Sequence, residues 1–314
     1  MENTISPKTM DKKHEEYQYL DLISLIIKNG YWEIGRNGKT KSIFGATMRF
    51  SLQNGKMPII TTKKTAWKTC LKELLWFIRG DTDNKLLQNE GVHIWDGNAS
   101  REFLDSRGLN NYREGILGPI YGYQWRQFNA PYNECDGTVD EGRYSNKNKQ
   151  TDDDGIDQLQ QIIDALKYPL QITSRRLIMT AWNPLQLDEM ALPPCHILCQ
   201  FNVREGTKLS CALYARSQDL PLGTPFNIAS YAFLTHLLAK HCDLDAYELV
   251  IFMGNCHIYE EHLKDIEVIV ERNPFEFPTL EISNKKKSID SYTVDDFIIH
   301  NYNFHESIKM NMKA

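Results

Sequence analysis

The stretch Leu192–Tyr231, LPPCHILCQFNVREGTKLSCALYARSQDLPLGTPFNIASY, restricts the fold more than any other part of the chain. Pro193 and Pro194 fix their own φ angles and carry no N–H, so they deliver Cys195 and His196 stiffly to the start of a strand. Ile197, Cys199, Phe201 and Val203 then alternate with Leu198, Gln200 and Asn202, the period-two pattern of a strand. Glu205-Gly206 reads as a turn, and LSCALYARS as the returning strand, which ends on Arg216-Ser217. Thr224 before Pro225 has the form of an N-cap with proline at the first helical position, and the helix is expected to run to Lys240. A thiol, a cation, a hydroxyl and the two-sided amide of Asn227 are thereby gathered in one unit.

Cys195 is the nucleophile candidate, since a nearby arginine favours the thiolate and lowers its pKa. The plain alternative is a buried cysteine at a strand start. A protease-like Cys–His pair is disfavoured because His196 is its immediate neighbour, and adjacent strand side chains point to opposite faces. A zinc site assembled from Cys195, His196, Cys199, Cys211, Cys256 and His257 lacks any Cys-x-x-Cys pair and needs ligands from both faces of one strand. Asn227 offers a donor and an acceptor, matching the ring N–H beside a carbonyl that a pyrimidine presents. Arg216 and Ser217 suit a phosphate, and His257 and Tyr259, two apart after a strand, suit a sugar hydroxyl. These residues point to a nucleoside monophosphate attacked by sulfur.

Elsewhere the chain offers more elements and more candidates. A helix is expected from His14 to Asn29, closed by Gly30, with Tyr17, Leu20, Ile23 and Ile27 as its apolar stripe. Gly35–Lys41 reads as a short basic loop, able to hold a phosphate or simply solvated, and it leads into the strand SIFGATMRFSL. Thr65–Arg79 is an apolar helix stopped by Gly80. Glu73 shares its line with Cys70 and Phe77, so the carboxylate is either paired with a cation or is a tuned acid or base. Ile94 and Trp95 precede a turn, and Tyr121 is framed by glycines and a proline. Residues 129–155 hold seven acidic and three basic residues and almost no aliphatics, as a polar surface insertion would. A helix follows over Asp157–Lys167. Arg175-Arg176 come just before a strand near Leu177, either as surface charge or facing an anion presented from outside, as to a neighbouring subunit. Glu248–Cys256 is a further strand and His257–Arg272 is mostly helix. The irregular interleaving says α/β or α+β.

A net charge of −5, from 36 basic and 41 acidic residues, gives no general pull toward nucleic acid or anionic membrane. No apolar run is long enough to span a bilayer, and the first residues lack the apolar core of a secretion signal. The seven cysteines are scattered and odd in number, so a reducing compartment, cytoplasm or nucleus, is expected.

LPPCH, RSQD, LGTPFNIASYAFLTH and CHIYEEH resemble the thymidylate synthase family, and SIFG, TTKK, ELLWFI, IWDGNASREFLDS, GPIYGYQW and SRRLIMTAWNP match it in order upstream. The resemblance covers about residues 16–312 and is closest to eukaryotic-type members. It implies one catalytic domain over 16–314 after a flexible tail over 1–15. The implied fold is an α/β (α+β) three-layer sandwich around a twisted mixed sheet that forms a homodimer interface. The implied reaction is methylation of dUMP to dTMP with 5,10-methylenetetrahydrofolate as one-carbon and hydride donor, and with no metal. Cys195 would add to C6 of the uracil, Tyr121, Glu73 and His196 would serve proton movement, and Arg216 would assist. Arg36, Arg216 and Ser217 would bind phosphate, joined by Arg175 and Arg176 from the second subunit. Asn227 would read the base, and His257 and Tyr259 the sugar. Ile94, Trp95, Leu192, Asp219, Gly223 and Phe226 would line the folate pocket. No DNA or membrane partner is implied. Departures from the family pattern are a shorter loop at Arg36, Lys64, Asn202, Ala215, Asn255 and the ending Met312-Lys313-Ala314. The same motifs leave room for a pyrimidine-nucleotide hydroxymethylase or a non-catalytic nucleotide-binding homologue.

Overall fold

The computed structural model describes residues 13–133 and 155–311. The N-terminal tail, most of the polar insertion and the last three residues therefore lie outside the described residues. Helix α1 (Tyr17–Asn29) leads into β1 (Tyr31–Gly35) and β2 (Gly38–Ser51), followed by α2 (Trp67–Arg79), α3 (Asn84–Asn89), α4 (Asp96–Ala99), α5 (Arg101–Ser106), α6 (Tyr121–Gln127) and α7 (Gln158–Lys167). The second half holds β3 (Ile178–Thr180), β4 (His196–Arg204), β5 (Lys208–Asp219), α8 (Gly223–His241), β6 (Asp245–Tyr259), α9 (Leu263–Val270), β7 (Thr279–Ile282) and β8 (Phe297–His300).

The main sheet has the order β1-β2-β6-β5-β4-β3, and β7 pairs with β8 separately. Among the described residues only β5 and β6 run parallel, joined by α8, so the sheet is mixed as expected. Helix α8 buries 15 of its 19 residues, the signature of a helix covered on all sides. One side packs on β5 and β6 and the other on α2, which in turn meets α6. The layers thus stack as sheet, α8 and outer helices. The opposite sheet face is open and apolar, with Phe44 75%, Ile178 47% and Phe252 44% exposed.

The pairing lapses at one level shared by three strands. Phe44 pairs with Asn255 and Ala46 with Met253, leaving Gly45 and Gly254 out; Ala215 pairs with Met253 and Ser217 with Asn255, leaving out Arg216. In β4 an extra residue falls between His196 and Leu198. The buried side of β5 and of β6 switches there: Leu209, Cys211, Leu213 and Ala215 are buried, then Gln218; Leu249, Ile251 and Met253, then Cys256 and Ile258. Bulged, strongly twisted strands behave this way because side-chain direction has a period of two.

Several expected boundaries move. Gly35–Lys41 is not a loop but a tight hairpin around Arg36-Asn37, with β1 paired to β2 from Tyr31 to Gly35. Thr224 does not cap α8, which starts at Gly223; its hydroxyl donates to the Gln218 side chain, while Asp219 accepts from the Leu222 N–H. His257 and Tyr259 lie within β6 rather than after it, and the helix expected from His257 is only α9 further on, eight residues or about two turns long. Pairing with β2 holds them in the sheet, Ser42 opposite His257 and Thr40 opposite Tyr259, which local propensity does not register. The α1 stripe is centred on Tyr19, Leu20, Ile23 and Ile26. Its entry is fixed by the fully buried Glu16, whose carboxylate accepts from the N–H and hydroxyl of both Thr61 and Thr62.

A Cβ on Gly254 would stand 2.7 Å from the Arg216 carbonyl oxygen. Gly254→Ala is therefore expected to force β5 and β6 apart and lower stability by about 1–3 kcal/mol. Urea denaturation followed by circular dichroism checks this; an unchanged midpoint would mean the two backbones do not touch there.

Candidate active site

Cys195 is presented by three elements at once. The Arg216 guanidinium donates from Nε to the Pro194 carbonyl and from Nη2 to the Pro193 carbonyl, both at 2.9 Å, and its backbone N–H donates to the Cys195 carbonyl at 2.9 Å. The proline pair is thus clamped by its acceptors, and the cation also sits 5.6 Å from the Trp182 ring centroid. From the other side the Tyr121 hydroxyl accepts the Cys195 N–H at 2.8 Å. Tyr121 is brought in by backbone contact between α6 and α2: a Cβ on Gly122 would stand 2.4 Å from the Phe77 carbonyl oxygen. The Tyr121 ring stacks on Phe77 at 4.8 Å and faces His196 at 5.4 Å.

Glu73, one turn before Phe77 on α2, accepts a 2.7 Å hydrogen bond from the Trp95 indole. No cation pairs with it among the described residues, which removes the structural ion-pair alternative. Burial pushes its carboxyl up to about 7, and the Trp95 bond opposes this only in part. His196 lies against Tyr231; burial pulls its imidazole down to about 4, so it is neutral at neutral pH, and the neighbouring Asn227 side chain opposes this only in part. Asn227 in turn donates from Nδ2 to the Gln218 amide oxygen at 3.0 Å. Cys195 departs from expectation. Burial pushes its thiol above the ordinary range, and Arg216 and the Tyr121 hydroxyl offset that only partly. One arginine does not outweigh desolvation of a thiolate.

The remaining candidates sort by position. Arg36 caps the β1–β2 hairpin, exposed and bonded to Asn37, and this tip lies over Tyr259. His257 meets the Tyr259 ring at 5.4 Å and shares a 2.9 Å hydrogen bond with Asn255, and burial pulls its imidazole down to about 4. Ser217 stands opposite Asn255 in the β5–β6 register. Arg175 and Arg176 are exposed before edge strand β3 and do not join the Cys195 cluster within this chain. Trp95, 6.1 Å from Tyr121, is buried, and Ile94, Leu192 and Phe226 are partly buried against the core. Asp219, next to Gly223 at the start of α8, is raised to about 6, burial outweighing the Leu222 N–H and the nearby His262 and Lys63. Among the described residues no three His, Cys, Asp or Glu side chains converge as metal ligands, and no helix is long and apolar enough to cross a membrane.

Three contributors escape a sequence reading. Tyr231 lies one turn beyond Asn227 on α8, a spacing that could have flagged it. Gln218 lies inside the RSQD motif, but strand alternation places it on the wrong face. Trp182 reaches Arg216 only through the fold, and no local signal marks it.

The raised Glu73 carboxyl has a sign that can be tested. Between its ordinary value of 4.5 and about 7 the folded chain holds a proton that the unfolded chain releases, so its contribution to stability falls as pH rises through that window. Glu73→Gln is expected to stabilise the chain at pH 8 by roughly 1–3 kcal/mol and to change little at pH 4. Thermal melts at the two pH values decide it; equal shifts at both would place Glu73 in an ordinary solvated setting.

Comparison with known proteins follows this geometry. The family model described as thymidylate synthase matches residues 17–314. The "Probable thymidylate synthase" of Schizosaccharomyces pombe is 50% identical over 311 residues, covering 96% of this chain and 48% of that protein. The "Bifunctional dihydrofolate reductase-thymidylate synthase" of Paramecium tetraurelia is 47% identical, covering 99% of this chain and 64% of its own length. Its namesake in Leishmania major is 46% identical, covering 97% and 56%. The chain thus spans about half to two thirds of these relatives. With the match running through Glu73, Tyr121, Cys195, Arg216 and Asn227, the chain belongs to the thymidylate synthase family.

Proposed function

We propose that this chain converts dUMP to dTMP, acting as a methyltransferase in the cytoplasm through one catalytic domain that begins near residue 16. The observation that carries this reading is that Tyr121 joins Cys195 to His196: its hydroxyl accepts the Cys195 N–H at 2.8 Å and its ring lies 5.4 Å from the His196 imidazole. That imidazole is neutral, and the Asn227 amide stands beside it. Asn227 matches the N3–H and O4 edge of uracil, which places C6 toward the thiol. The Cys195 sulfur adds to C6, and the negative charge that develops toward O4 is met by Asn227 and by water held by Glu73 and His196. C5 becomes nucleophilic. Tyr121, whose hydroxyl lies at the Cys195 amide, and Glu73, poised near 7, serve the proton transfers.

Two further supports concern what the cleft takes up. The co-substrate 5,10-methylenetetrahydrofolate supplies the one-carbon unit and the hydride. The apolar surface of Ile94, Trp95, Leu192 and Phe226, with the raised Asp219 carboxyl beside Gly223, suits a flat ring with polar edges. Phosphate binding falls to Arg36, Arg216 and Ser217, with Arg175 and Arg176 of a second copy. Those two arginines are exposed beside the open apolar sheet face, which is the surface two copies would share. Added cations around the phosphate also favour the Cys195 thiolate, offsetting the burial that raises the thiol in a single chain. The six described cysteines are all unpaired, in keeping with a reducing compartment.

Incubation with dUMP and methylenetetrahydrofolate, following both products, tests the reading. dTMP with dihydrofolate is expected; hydroxymethyl-dUMP with tetrahydrofolate, or tight nucleotide binding without turnover, would replace it. Cys195→Ser is expected to abolish turnover while dUMP still binds, and near-normal turnover would sink the covalent step. Phe44→Asp, on the open face, is expected to convert the dimer to monomer in sedimentation velocity and to lower turnover at least about tenfold.

A further inference from the structure

Gln218 is 1% exposed, because the lapse in pairing at Arg216 turns it to the helix side of β5. Its amide oxygen accepts two hydrogen bonds, from Asn227 Nδ2 at 3.0 Å and from the Thr224 hydroxyl at 2.9 Å. Its amide nitrogen has no hydrogen-bond partner among the described residues. An orphaned buried donor is costly, and a methionine would fill much the same space without one. What the amide provides here is its acceptor end.

That acceptor constrains Asn227. The Asn227 side chain donates from Nδ2 to the Gln218 amide oxygen. Reversing the Asn227 amide would set its oxygen against the Gln218 oxygen, two acceptors head to head. The two pyrimidine ring edges ask for opposite senses. Uracil offers an N3–H donor beside a C4 carbonyl acceptor, whereas cytosine offers a bare N3 acceptor beside a 4-amino donor. The sense of the Asn227 amide therefore decides which ring it reads.

We propose that Gln218 is a positioning residue that locks the sense of the Asn227 amide and thereby sets the preference for uracil over cytosine. The inference rests on Asn227 being the base reader and adds what fixes its selectivity.

The full-length chain is titrated calorimetrically with dUMP and with dCMP, and the ratio of the two Kd values is read. Gln218→Met, which removes the acceptor, is expected to lower the preference for dUMP at least about tenfold, by weaker dUMP binding and stronger dCMP binding. Gln218→Glu keeps acceptor oxygens at the same reach and is expected to retain the ratio within about threefold. An unchanged ratio in Gln218→Met, or equal weakening of both nucleotides, would overturn the proposal, since a merely structural residue would do just that. Should Gln218→Met fail to fold, Thr224→Val, which removes the second bond to the same oxygen, must lower the ratio at least about threefold; no change overturns it. A wild-type chain that binds neither nucleotide would instead sink the parent reading of the site.

Discussion

The backbone contact between Gly254 and Arg216 is the constraint on which the rest of the site depends. Two parallel strands approach so closely that no Cβ fits between them, and the pairing lapses at that level across β2, β6 and β5. A lapse of one residue reverses the facing of all that follows. Below it the strands bury Leu213, Ala215 and Met253 against α8; above it Gln218 takes the buried side while Ser217 and Asn255 share the other. Arg216, at the pivot, is left out of the β5–β6 register, and its guanidinium holds the carbonyls of Pro193 and Pro194. Cys195 is thus anchored to a fault in the sheet rather than to its regular part.

Desolvation sets the chemistry that grows from this anchor. Burial raises the Cys195 thiol and the Glu73 and Asp219 carboxyls and lowers the His196 and His257 imidazoles, so each of these groups is driven toward its neutral form. Arg216 stands among them as a permanent cation that cannot follow. The cleft is therefore electrostatically incomplete toward an anion. Tyr121 and Trp95 hold the Cys195 backbone and the Glu73 carboxyl respectively by short hydrogen bonds and so keep their geometry fixed.

Much of this was legible in the residues. Cys195, Arg216, Ser217 and Asn227 lie in one strand–turn–strand–helix unit whose periodicities are plain, and Glu73 was visible as a carboxylate on an apolar stripe. The structure brings Tyr121 and His196 to the same point. What the residues hid has a common cause. The hairpin at Arg36, the continuation of β6 through Tyr259 and the burial of Gln218 all depend on pairing between distant strands, and local propensity carries no record of it. Thr224 misled for a related reason: the cap signal was sound, but Gln218, turned inward by the lapse, competes for the hydroxyl. The sign of the Cys195 shift was missed because a sequence lists the cation but not the depth of burial beside it.

The β2–β6 pairing joins residues about 200 positions apart, from Thr40 opposite Tyr259 to Ser51 opposite Glu248. During synthesis at roughly 5–20 residues per second, β2 waits roughly 10–40 s for its partner to be made. Throughout that interval the β1–β2 ribbon has a free edge and exposes Trp32, Ile34 and Phe44, apolar groups that invite pairing with other chains. Lys39 and Lys41, both set against Trp32, put positive charge on the same ribbon and discourage such encounters. The basic hairpin that carries Arg36 thus has a use well before any substrate is present, as a guard on a strand born early.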